Sequence, residues 1–155
     1  MKYPPATSMQ LRAFRAADLP ILHEIDRTCF PPGVAYSQAE LARFIGHRRS
    51  RTWVAEDAGK IVGFLVASRT QTSMMHVITI DVKEGWRRRG VGDALMNAAE
   101  DWGRGHGLRG ASLETAEENR AAQEFYRKRG YTKIGEVTNY YANGSTAWVM
   151  GKPLR

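Results

Sequence analysis

The sequence predicts an α/β domain: a mixed sheet covered by helices on both faces, in the order βααβββαβαββ. Three observations predict it. Val77-Ile78-Thr79-Ile80-Asp81-Val82 is a β-branched run of strand character. Beyond a basic, glycine-containing turn, Val91, Ala94, Leu95, Ala98 and Trp102 recur at helical spacing. The second half of the chain alternates strand, helix and strand, which implies parallel pairing, while hairpin signals elsewhere imply antiparallel pairing.

Taken in order, residues 1–8 read as a short disordered lead and residues 9–155 as a single domain. Met9, Leu11 and Ala13 alternate with polar residues to give a first strand, Met9 to Arg15. Asp18 is expected to cap a first helix that carries Pro20 in its first turn and aligns Leu19, Leu22, Ile25 and Cys29 on one face. Pro31-Pro32-Gly33 ends it. Ser37, with Glu40 at the capping-box position, starts a second helix that runs to about His47. Trp53 to Glu56 and Ile61 to Ala67 flank the turn Asp57-Ala58-Gly59-Lys60 as a hairpin. A strand from Met74 to Val82 and the helix after it follow, the latter closed by Gly103, Gly105 and Gly107. Ala111 to Ala116 is a strand and Asn119 to Arg129 a helix ending at Gly130. Tyr131 to Val137 and Thr146 to Met150 are two last strands around Asn143-Gly144.

The chain has 155 residues, 43% hydrophobic and 25% charged, which suits one soluble domain with its own core. No apolar run approaches the roughly 18 residues of a membrane span, and Met1-Lys2-Tyr3-Pro4-Pro5 leads into no apolar stretch, so neither a membrane partner nor a secretory signal is expected. Cys29 is the single cysteine, so no intramolecular disulfide forms, and a cytoplasmic setting is expected. The net charge of +7 favours anionic partners. Nucleic acid is one such class, but no recognition motif for it is present. The arginines cluster at Arg48, Arg49 and Arg51, and again at Arg87, Arg88 and Arg89.

The second cluster belongs to the most informative segment: a strand, Arg87-Arg88-Arg89-Gly90-Val91-Gly92, then a helix. A helix N-terminus offers unpaired N–H groups and a partial positive charge, glycines let the backbone approach a ligand, and arginines add full charge. Together they suit an anion such as a pyrophosphate. The segment lacks the Gly-Lys-Ser/Thr ending of a Walker loop and the second half of Gly-x-Gly-x-x-Gly.

Arg-x-x-Gly-x-Gly between a β-branched strand and an amphipathic helix resembles the acetyl-coenzyme A signature of the GNAT acyltransferase superfamily. Glu114-Thr115-Ala116-Glu117-Glu118-Asn119, Phe125-Tyr126 and Gly130-Tyr131 resemble that superfamily's next strand–helix unit. The resemblance covers roughly residues 9–152. It implies a GNAT-like fold and an enzyme that takes acetyl-coenzyme A as co-substrate, with no metal. It implies that amides of Arg88, Arg89, Gly90, Val91 and Gly92, beside Arg87, hold the pyrophosphate. The strand segment Ile80-Asp81-Val82 would pair through the backbone of Ile80 and Val82 with the pantetheine arm, and one of these amides would support the thioester oxyanion. Asn119 would hydrogen-bond the pantetheine. Tyr126 would protonate the leaving thiolate.

Transfer to an amine needs the neutral amine, so a group must take its proton. An N-terminal amine, with a pKa near 8, needs less help than a lysine near 10.4. Glu114, acting through a water, is the first candidate base and His76 the second. Phe30-Pro31-Pro32-Gly33-Val34-Ala35-Tyr36 and Asn139-Tyr140-Tyr141 resemble segments of the protein N-terminal acetyltransferases, including the ribosomal-protein-alanine N-acetyltransferases. By that resemblance Phe30, Tyr36, Tyr140 and Tyr141 would line the acceptor entrance, and the acceptor would be a protein N-terminus, such as that of a ribosomal protein. Attack would be direct, in a ternary complex, by an enzyme that is a monomer or homodimer. Ser145-Thr146 stands where that subfamily has an acidic residue, and the Trp-Ser after its first helix is missing. A small-molecule amine therefore stays open as acceptor, as does a non-catalytic acyl-coenzyme A sensor.

Overall fold

A computed structural model of the chain describes residues 8–155, so the expected lead, Ser8 apart, lies outside the described residues. The elements are β1 (Met9–Ala13), α1 (Leu19–Cys29), α2 (Gln38–Gly46), β2 (Ser50–Asp57), β3 (Lys60–Arg69), β4 (Met74–Val82), α3 (Val91–Gly105), β5 (Gly110–Ala116), α4 (Arg120–Lys128), β6 (Thr132–Val137) and β7 (Ala147–Pro153). Their order is the expected one. The sheet runs β1-β2-β3-β4-β5-β7-β6. Every neighbouring pair is antiparallel except β4 and β5.

Two cores lie on opposite faces of the sheet, because the strands alternate their side chains. On one face Leu22 and Ile25 of α1 and Leu41 of α2 pack with Val54, Phe64 and Val66. On the other, Val91, Leu95, Met96 and Ala99 of α3 and Tyr126 of α4 pack with Leu65, Met75, Val77 and Leu113. That second face also holds a buried carboxylate. Glu100 of α3 accepts from the Tyr131 hydroxyl at 2.9 Å, Lys152 at 2.8 Å and Arg129 at 3.2 Å, tying α3 to β7 and to the end of α4. Among the described residues no helix is long and apolar enough to cross a membrane.

Two local expectations are corrected. Asp18 does not cap α1: it has helical backbone and its side chain makes no cap bond to α1. Its carboxylate instead takes Arg12 at 2.8 and 2.9 Å and the Arg15 amide at 2.8 Å, because an arginine fork on β1 outcompetes a helix amide. Gly103 and Gly105 lie inside α3 rather than closing it, and Gly107, at φ +71°, makes the left-handed exit. Gly103 is there for packing, since a Cβ would sit 2.9 Å from Leu154 Cδ1. Ser37 and Glu40 form the expected capping box, with bonds of 3.1 and 2.9 Å.

The feature that places the site is the course of β4. Its inner edge pairs with β3 along its length, from Arg69↔Met75 to Gly63↔Val82. Its outer edge pairs with β5 only from Met74↔Gly110 to Val77↔Leu113. The register shifts between Val66↔Thr79 and Ala67↔Val77, which leaves Ile78 unopposed as a bulge. The bulge reverses side-chain parity. Met75 and Val77 before it, and Ile80 and Val82 after it, all pack in the α3 core, whereas Ile78 packs with α1 and α2.

Close contact of β3 with β4 depends on Gly63, where a Cβ would fall 2.7 Å from the Asp81 carbonyl oxygen. Gly63→Ala is expected to destabilise by about 1–3 kcal/mol through overpacking, lowering Tm by roughly 5 °C in a thermal melt.

Candidate active site

The divergence of β4 from β5 opens a cavity of about 1220 Å³ through the domain. One wall is the outer edge of β4, which has no strand partner beyond Val77. The Ile78 and Val82 carbonyls point along this edge, accepting from the Tyr36 hydroxyl at 3.5 Å and from Arg87 Nε at 3.2 Å. Asp81 faces the other way: its carbonyl lies against β3 at Gly63, and its side chain is buried outside the cavity lining. Of the expected trio, then, Ile80 and Val82 line the cavity and Asp81 does not.

At one end of the cavity is the N-terminus of α3. Gly90 is its cap residue, at φ +84°, and makes no side-chain cap bond to the first-turn amides. Arg88 also has positive φ, +63°, so successive amides of the turn converge as an anion nest. Arg87, Arg88, Gly90 and Gly92 line the cavity. Arg89 does not: its guanidinium lies 4.4 Å from the Trp86 ring centroid. Val91 turns its side chain into the core. Gly92 lets α3 meet α4 closely, since a Cβ would lie 3.2 Å from Phe125 Cζ. Asn119 caps α4, its side-chain oxygen accepting from the Ala122 amide at 3.1 Å, so its NH2 group is the part available to a ligand.

At the other end is a polar cluster on the α1–α2 face. The two candidate bases are bonded to each other: His76 Nε2 lies 2.7 Å from Glu114 Oε1. The Tyr140 hydroxyl donates to the same oxygen at 3.3 Å. Glu114 therefore sits in a small hydrogen-bonded group, with both its partners only partly buried. Tyr140 and Tyr141 meet edge to face at 4.9 Å. Tyr36, edge to face with Phe44 at 5.0 Å, lines the cavity with Phe30 and Tyr141. The loops that carry these aromatics are joined, because the Ala142 amide donates to the Gly33 carbonyl at 3.1 Å.

Tyr126 lies between the two ends, 7% exposed and lining the cavity. It packs edge to face against Phe125 and Tyr131. Burial, then the charge of Asp81, pushes its phenol well above the usual range. Tyr36 and Tyr141 are raised chiefly by burial too. Tyr140 is pushed up to about 12 by burial and by the nearby Glu114 carboxylate. All four phenols hold their protons at neutral pH, and a neutral phenol is a donor.

Two functional neighbours escaped the sequence reading. Asp26 is fully buried on α1, where Leu22, Ile25, Asp26 and Cys29 share one face. An acid on that apolar face was the available signal. Gln123 of α4 donates to the Ala116 and Glu117 carbonyls at 3.2 and 2.9 Å, holding the turn after β5 beneath the cavity. Nothing local in the sequence marks it.

The comparisons bear on what such a cavity serves. The sequence matches the acetyltransferase (GNAT) family over residues 19–131. It is 27% identical to an N-alpha-acetyltransferase of Sulfurisphaera tokodaii, covering 94% of this chain and 93% of that one. It is 32% identical to the aminoglycoside N(6')-acetyltransferase type 1 of Klebsiella aerogenes over a shorter stretch, 64% of this chain and 73% of that one. Among solved structures, Ard1 from Thermoplasma volcanium superposes with a TM-score of 0.85 at 29% identity, covering 95% and 98% of the two chains.

The raised phenols make a spectroscopic prediction. A tyrosine with an ordinary pKa is half ionised near pH 10, whereas the cavity tyrosines stay neutral there. In an ultraviolet titration, Glu114→Gln removes the negative charge beside Tyr140 and moves the ionisation near pH 12 to lower pH. Tyr140→Phe removes that step.

Proposed function

Because the chain belongs to the GNAT acetyltransferase family, we propose that it transfers an acetyl group from acetyl-coenzyme A to the α-amine at a protein N-terminus. The observation that carries the reading is the cavity itself, with an anion-binding helix terminus at one end and a carboxylate among aromatics at the other. The residues fit the co-substrate. The turn at Arg88 to Gly92 suits its pyrophosphate, and the unpaired edge of β4 suits an extended amide-bearing arm that adds like a strand. The Asn119 NH2 group would reach the same arm.

Bound acetyl-coenzyme A supplies the acetyl group as a thioester. Glu114 takes a proton from the incoming ammonium through a water, and His76 holds the carboxylate in place and shares the proton. The amine nitrogen then bonds to the acetyl carbon as the carbon–sulfur bond breaks. A backbone amide of Ile80 or Val82 supports the charge on the carbonyl oxygen. Tyr126, kept neutral by burial, hydrogen-bonds the departing sulfur and relays to it the second proton, which the attacking nitrogen sheds as the amide forms, so the phenol ends protonated. Phe30, Tyr36 and Tyr141 make an entrance with polar tips, suited to the first residues of a peptide. The likeness to an N-alpha-acetyltransferase along nearly the whole chain supports this acceptor.

Two predictions test this. Glu114→Gln and Tyr126→Phe should each lower turnover by roughly 100-fold or more, while calorimetry shows acetyl-coenzyme A still binding. Unchanged turnover in both removes the mechanism. Thiol release across a library of short peptides should depend on a free α-amine and on the first residue. Silence there, with release from aminoglycosides, moves the acceptor to a small molecule.

A further inference from the structure

Beneath the acceptor end lies a pair of carboxyls that the transfer chemistry does not use. Asp26 of α1 is 0% exposed and Asp81 of β4 is 1% exposed. Asp26 Oδ2 accepts from the Tyr36 amide at 2.7 Å. Asp81 Oδ1 accepts from the Thr79 hydroxyl at 2.6 Å. The remaining oxygens, Asp26 Oδ1 and Asp81 Oδ2, are buried and have no donor among the described residues. The two carboxyls are near enough for Asp26 to raise the Asp81 carboxyl above its usual range.

Carboxylate oxygens only accept, so two of them meet stably when one proton lies between them. The Tyr36 amide and the Thr79 hydroxyl, which donate to the pair, are uncharged, so neither supplies a charge in place of that proton. Cys29 of α1, Tyr36 of the loop before α2, Thr79 of β4 and Tyr126 of α4 face the pair. Arg87, from the turn after β4, bonds the Val82 carbonyl at 3.2 Å and the Cys29 sulfur at 3.6 Å.

We propose that Asp26 and Asp81 are positioning residues that share one proton, and that this acid–carboxylate bond pins the Tyr36 loop to β4 and so sets the acceptor end of the cavity. The chain of contacts is continuous. The Tyr36 amide is held by Asp26, Asp26 by Asp81, and Asp81 by Thr79 beside the Ile78 bulge. The Tyr36 hydroxyl then returns to the Ile78 carbonyl at 3.5 Å. The loop bearing Phe30 and Tyr36 is thereby indexed to the strand that would hold the acetyl group. Burial, and then the neighbouring Asp26 carboxyl, hold the Asp81 carboxyl well above its usual range, as a retained proton requires. Loss of that proton would leave two carboxylates in contact in a dry site, and repulsion would release the loop. A group whose folded pKa is raised stabilises below that pKa and loses the contribution as pH rises through it. Tightness of the loop is therefore a property of the low-pH side.

The kinetic part of this rests on the amine-acetylating reading, and the physical part does not, so the two are tested apart. Infrared spectra of the apo-protein in D2O should show a protonated-carboxyl band at neutral pH that is absent in Asp81→Asn, whose amide replaces the proton permanently. Exchange of the Tyr36 amide, read by NMR, should be at least 10-fold faster in Asp81→Leu than in wild type and unchanged in Asp81→Asn. With a working acceptor, its KM should rise with pH in wild type and stay flat in Asp81→Asn, with the KM for acetyl-coenzyme A little altered. Absence of the infrared band, or Tyr36 exchange in wild type and Asp81→Asn that rises in the same way with pH, overturns the proposal. Failure to find an acceptor overturns only the functional reading and leaves the two physical measurements decisive.

Discussion

Everything at the candidate site follows from four residue pairs and their end. β4 and β5 are the one parallel neighbour pair in the sheet, and they stay together only from Met74 to Val77. Their separation leaves the backbone groups of β4 that point to its outer edge beyond Val77 without a strand partner on that side, in the middle of a domain where such groups are normally paired. An unpaired strand edge is a template for another extended chain. In this protein it is enclosed: α3 and α4 cover one side, and the loops at Phe30–Tyr36 and Tyr140–Tyr141 cover the other.

The opening also sorts polar groups by face. The Ile78 bulge sends Ile80 and Val82 to the α3 core and leaves Asp81 on the α1 side. The same alternation along β5 buries Leu113 beneath α3 and α4 and puts Glu114 opposite His76. His76 and Glu114 thus lie on one face of the sheet, while the N-terminus of α3 and Tyr126 belong to the other. A substrate threaded between β4 and β5 meets both sets. Glu100 is held by Arg129, Tyr131 and Lys152, which anchors the rear of α3 while its N-terminus faces the cavity.

The element order and the glycine-containing turn before α3 were legible in the sequence because each depends on neighbours within a few residues: β-branched runs, helical spacing, a capping box. Glu114 and His76 were legible as separate candidates, but 38 positions part them, and only strand register makes them a pair. The same applies to Tyr140 over Glu114. Asp18 misled because a short acid before a helix is a good local cap, and the arginine that takes it lies on a different element. Arg89 was legible as charge but not as a partner for Trp86. The Ile78 bulge left no trace, since it depends on the β3 register and not on residue type. Asp26 did leave one, since it interrupts the apolar face of α1, and Asp81 stands as the one charged residue of a β-branched run.

The junction of Gly33 with Asn143 has a bearing on how such a protein can diverge. Gly33 has φ +86°, and a Cβ there would lie 2.7 Å from Asn143 Cβ. The two loops beside the Glu114 end of the cavity therefore meet at the backbone and Cβ of Asn143, with no flexible side-chain end to absorb a change. Lengthening or shortening either loop alone would part them and undo both. New specificity in this scaffold would arise from paired insertions and deletions in the two loops, or from exchanging aromatics on loops of fixed length. Lineages that keep a glycine at position 33 should keep both loop lengths, and those that lose it should differ in both.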